Sequence, residues 1–166
     1  PIGVCVAVAS EAKHATDTRG AALVAAANAC FECKEATAAC EAAGGVAETF
    51  KLLKSKCDHE VKARAAGLLA RLTTAPGSRG AATLRSAPGA PASLAQAAAA
   101  AAARTDKWAS IERDNVVRAL AGVLQGKDTT PETINEFLKR KGYELVLAQL
   151  PAPKRDLGSI TAQGVC

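Results

Sequence analysis

Methionine is absent from this 166-residue chain, and large rings nearly so: three Phe, one Tyr and one Trp make up 3% of it. A core without rings must be filled by small and branched aliphatic side chains at close backbone spacing, which favours helices packed on helices. No apolar run reaches the eighteen or so residues that span a bilayer. The Ala-rich stretch ending at Arg104 is too short and too weakly hydrophobic to do so, so no membrane span is expected.

Basic tracts are missing as well. The formal net charge is +5, but Lys and Arg are interleaved with Asp and Glu and do not gather beside aromatics. That distribution argues against nucleic acid as a partner. An RNA-reading helical repeat would also need the same base-reading side chains in successive helices, and no such set recurs.

Catalytic signatures are equally scarce. There is no G-x-S-x-G, no H-E-x-x-H and no phosphate-binding G-x-x-x-x-G-K. "GVLQGK" lacks the following Ser/Thr and reads as a helix end capped by Gly126. His14 and His59 fall in turns without a partnered nucleophile. The expectation is a protein that is not an enzyme and takes no cofactor and no metal.

Six Cys are present, including Cys30 and Cys33 as C-x-x-C with Cys40 seven residues on. Their context favours small buried apolar residues over a zinc or redox site, with Cys33 and Cys40 expected on one side of a helix. A chain of this length needs no disulfide staples, so a reducing, cytoplasmic setting is expected. The opening "PIGVCVAVAS" lacks the basic beginning of a targeting segment.

What is abundant is Ala, 40 residues of 166, together with a recurring punctuation. Gly45, Gly89 and Gly142 each open an apolar helical stretch, at intervals of 89 − 45 = 44 and 142 − 89 = 53. Aligned on these Gly, Phe50, Leu94 and Leu147 share a column, Leu53, Ala97 and Leu150 another, and Cys40, Leu84 and Phe137 a third, five residues upstream. A polar turn and a longer helix follow. Asp58 is placed as an N-cap, with Val61, Ala65, Leu68, Leu69 and Leu72 tracing the i, i+3, i+4, i+7 face behind it.

Helix, Gly turn, helix, polar turn and long helix at a period in the forties is the pattern of an α-solenoid, whose units bury their apolar faces only against neighbours. In the Gly44–Gly45 pair, Gly supplies the positive φ that a sharp bend demands. The extra residues of the longer interval are assigned to the Ala-rich run and the "RTDKWAS" turn. Residues 1–150 read as one helical repeat domain that begins inside a repeat, and 151–166 as an irregular tail.

Residues 28–73, "NACFECKEATAACEAAGGVAETFKLLKSKCDHEVKARAAGLLARLT", resemble an armadillo repeat: an Asn, a polar linker, "EAAGG", an apolar "FKLL" helix, a "S.CDHEV" turn and an "AAGLLARL" third helix. The resemblance is clearest there and weaker over 79–150, where Pro88 replaces the first Gly. It implies an all-α, right-handed solenoid of about three repeats, incomplete at both ends, whose third helices line a concave face that binds segments of other proteins.

Carried over residue by residue, the implied partner-binding positions are Asn28 and, in the next unit if one residue is inserted before Gly89, Arg71. Arg64, Arg113, Arg118 and the single Trp108 join them as candidates. A lone Asn is not the Asn ladder that grips a peptide backbone, so the arginines, suited to an acidic segment, carry more of the expectation. The expected function is a non-catalytic interaction scaffold or a subunit of a larger complex. The alternative is a co-chaperone acting on a nucleotide-binding protein, as armadillo-like exchange factors do.

Overall fold

The computed structural model describes residues 1–125 and 129–139. Among them are nine helices and no strand: α1 (Ile2–Ser10), α2 (Thr16–Ala29), α3 (Lys34–Ala42), α4 (Gly45–Lys54), α5 (His59–Thr74), α6 (Gly80–Arg85), α7 (Ala90–Ala102), α8 (Ala109–Leu124) and α9 (Pro131–Lys139). The described residues are all-helical, as the composition favours. The Gly142 unit, its Leu147 and Leu150, the tail 151–166 and the Gly126 cap lie outside the described residues.

Helix order follows the expected punctuation, with one shift of frame. The left-handed residue before α4 is Gly44 (φ 79°) and the one before α7 is Gly89 (φ 72°). Gly45 is already helical. Gly44 and Gly89 are therefore the equivalent positions, at an interval of 45. The shift matters for packing, because it pairs Leu53 with Ala98, both buried, whereas Ala97 is only partly so. It also explains why Phe50, expected in the core column with Leu94, is half-buried while Leu94 is fully enclosed. Cys40, Leu84 and Phe137, the upstream column, are all buried.

α5 lies at the centre. Val61, Ala65, Leu68, Leu69 and Leu72 are buried as the helical period predicts, but so are Ala63, Ala66, Ala70 and Thr73. A helix buried around most of its circumference needs neighbours on several sides, and α5 packs against α2, α4, α6 and α8. Its small residues let those neighbours come close. An added Cβ on Gly122 of α8 would sit 2.6 Å from the Thr73 carbonyl oxygen, so only Gly fits that crossing.

The long helices are in register. Thr16 of α2 donates to Asp58 at the head of α5, and Gly20 lies against Arg64 one turn further along both. Between α5 and α8, Arg64 meets Trp108, Gly67 faces Asn115 and Thr73 backs on Gly122. Contacts that advance together along each pair mean that α2, α5 and α8 run parallel. In the same manner α3 packs on α1, α6 on α4 and α9 on α7.

α7 has 13 residues against 10 in α4, and the extra length falls where the sequence placed it, in the Ala run. Among the described residues no helix is long and apolar enough to cross a membrane.

Candidate functional site

The candidate residues fall on the parallel helices α2, α5 and α8, and helical phase decides which of them meet. Residues seven apart differ by about 20° around a helix, so Arg64 and Arg71 share one side of α5. Residues five apart differ by about 140°, so Arg113 and Arg118 of α8 do not.

Arg64 holds the centre of one cluster. Its Nε donates to Glu60 Oε1 at 3.0 Å, the ion pair closing to 2.7 Å one turn back on the same helix. The guanidinium lies over the Trp108 ring at 5.1 Å, and Lys107 Nζ approaches the same ring at 4.9 Å. Trp108 is the N-cap residue of α8 and only partly exposed. It therefore covers the α5–α8 junction, with its face occupied by cations. Asn28 reaches the same place from α2: Asp17, Ala21, Val24, Ala25 and Asn28, one stripe of that helix, form with Glu60 and Arg64 a groove of 490 Å³.

Arg71 stands two turns beyond Arg64. Its guanidinium stacks on Phe31 at 4.4 Å, and Phe31, in the α2–α3 turn, is 50% exposed. Both line a cavity of 390 Å³ with Lys34 and Pro76. Phe31 carries no sequence signal of its own: it sits inside the C-x-x-C and belongs to no periodic apolar pattern. Among the described residues Arg71 and Arg118 have no ion-pair partner, whereas the charge of Arg64 is matched by Glu60.

Arg113 is elsewhere. It pairs with Asp114 at 2.8 Å and borders a different, 260 Å³ cavity beside Arg104, Asp106 and Ser110. The structure brings Asn28, Arg64 and Trp108 together, extends that row to Arg71, and leaves Arg113 outside it.

The cysteine expectation needs correction in its pairing. Cys33 is not on α3 with Cys40; it is the N-cap residue before the helix, half-buried, its thiol 3.6 Å from Glu35. Cys30 takes the buried place instead, its thiol pointing at the Ala36 carbonyl oxygen at 3.7 Å. Thr37 explains the turn, since its hydroxyl donates to the carbonyl oxygens of both Cys30 and Cys33. Burial pushes the Cys40 thiol up to about 12 and raises Cys30 in the same direction, which keeps both protonated and poorly nucleophilic at neutral pH. Among the described residues the cysteines are free thiols, and no group of three or more His, Cys, Asp or Glu is placed to hold a metal ion.

No protein-family model, curated protein or solved structure matches this chain.

Proposed function

We propose that the chain is a non-catalytic protein-interaction module of armadillo-like build, holding an extended segment of a partner across the row formed by α2, α5 and α8. The observation that carries this reading is the Asn28–Arg64–Arg71 row. It crosses two parallel helices on one side, with an exposed Phe31 beneath Arg71 and a groove beside Asn28. Parallel long helices and the recurring contacts of each first helix with the preceding second helix support the solenoid.

Charge placement indicates where an acidic residue of the partner would sit. Arg64 already has Glu60, so it positions the groove wall and Trp108 rather than offering a free charge. Arg71 offers both an unmatched guanidinium and the flat apolar surface of Phe31. Arg and aromatic side chains together are the usual composition of a binding hot spot. Arg118 adds a second unmatched cation on α8.

A photo-activatable cross-linker placed at exposed Asn28, expressed in the natural host, tests this. A discrete cross-linked protein is expected from position 28 and not from exposed Lys51, which lines neither the Asn28 groove nor the Phe31 cavity. Equal labelling from both positions, or none from 28, would count against the row as a binding face.

A further inference from the structure

The other side of α2 carries a buried cation without a matching anion. Arg19 is 7% exposed, and its Nε donates to the Ala9 carbonyl oxygen at 2.9 Å. That is its one hydrogen bond, and no carboxylate among the described residues pairs with it. Its two terminal nitrogens are nevertheless not sealed from solvent, because no buried nitrogen in the described residues is left without a partner. Their opening is a cavity of 530 Å³ between the end of α1, the end of α4 and the start of α5. A guanidinium taken out of water without a counter-ion is costly, and such groups are ordinarily paired.

The start of α5 faces the same cavity. Asp58 occupies its N-cap position, yet its side chain makes no capping bond and accepts from Thr16 instead. The first intrahelical bond runs from Lys62 N–H to the Asp58 carbonyl oxygen, so the N–H of His59, which lines the cavity, has no helical acceptor. A sixteen-residue helix presents partial positive charge there. Lys51 and Lys56 add two ammonium groups at the rim. Two carboxylates also line it, Glu48 paired with Lys51 at 3.7 Å and Asp58 accepting from Thr16, so three Lys and Arg cations stand against two carboxylates.

We infer that this cavity binds the phosphate group of a small phosphorylated molecule, with the Arg19 fork and the His59 N–H holding the phosphate oxygens and the lysines closing over it. The donors outnumber what a carboxylate with two oxygens can accept, and a forked guanidinium suits phosphate geometry. The cavity is also larger than inorganic phosphate, leaving room for the rest of a metabolite. Arg19 and Asp17 project from α2 about 160° apart, so this site and the partner groove are separate.

Amide chemical shifts of the ¹⁵N-labelled chain, followed at pH 8 and constant ionic strength, provide the test. Titration with inorganic phosphate should shift the His59 amide saturably, and glycerol phosphate should do so at lower concentration. Lys51→Gln/Lys56→Gln, which alters only exposed side chains, should weaken both about tenfold while the remaining spectrum is unchanged. Linear shifts equal to those from chloride, saturable shifts elsewhere, or unchanged affinity in the double variant would overturn the site. Equal affinity for inorganic phosphate and the monoester would overturn the assignment to a phosphorylated metabolite.

Discussion

The unit α3–α5 and the unit α6–α8 occupy the same frame with different chemistry. In α3–α5 the space between helices is filled by branched side chains, Leu52, Leu53, Leu68, Leu69 and Leu72. In α6–α8 it is closed by approach: Ala90, Ala95, Ala98 and Ala101 of α7 are fully buried, and α7 and α8 draw together over them. The second unit also buries a charge. Glu112 is 3% exposed and accepts from Arg104 at 2.6 Å, while Arg104 also holds Asp106 at 2.8 Å. Leucine volume and alanine proximity are thus two ways of closing the space between helices, and they should fail differently.

The largest effect is expected in the leucine unit. Leu69→Asp places an unpaired carboxylate at a position with no exposure, at a cost of about 4 kcal/mol or more, and should unfold the chain. Circular dichroism against temperature checks this. A melting curve like the parent's would show that α5 is not the shared core.

Glu112→Ala probes the alanine unit. It removes the buried partner of Arg104 but leaves Asp106 in place, so a loss of about 2 to 3 kcal/mol in urea unfolding is expected. A neutral result would mean that Asp106 alone satisfies Arg104. Ala98→Leu sharpens the contrast, because overpacking at a fully buried Ala should cost about 1 to 3 kcal/mol. A stabilising Ala98→Leu would show that α7 and α8 enclose spare volume.

pH separates the units more gently. Asp106 is held down to about 2 by the Arg104 hydrogen bond. A depressed carboxyl contributes stability above its unfolded value, lost as pH falls towards 2, so acid should loosen the α7–α8 connection. Cys40, raised to about 12 by burial, has the opposite sign. Its contribution is complete below the ordinary thiol value and is lost as pH rises from about 9 towards 12. Cys40→Ala should flatten the alkaline limb of a stability–pH curve.

Legibility in the sequence follows the same division. The leucine helix α5 was readable from its period and the Gly44–Gly45 bend from its residues, because each is a local signal. The one-residue shift at Gly44 and Gly89 was not, since both Gly of a pair satisfy a sequence pattern and only one takes positive φ. The burial of α5 on further sides was invisible for a related reason: an Ala facing a neighbour and an Ala facing water look alike in sequence.

Among the candidate site residues, Asn28, Arg64 and Arg71 lie on one row, as their spacing permits. Arg113 does not, because five residues carry it to another side of α8. Phe31 and Arg19 were missed. Neither belongs to a periodic pattern, and the missing counter-ion of Arg19 exists only in three dimensions.

The most direct measurement is quantitative affinity purification of the tagged full-length protein beside Arg71→Glu, an exposed substitution that should leave the melting curve unchanged. The account predicts a stoichiometric protein partner that is lost, or reduced at least about tenfold, with Arg71→Glu. Equal recovery of that partner by both proteins would contradict the claim that the α2–α5–α8 row is the binding face.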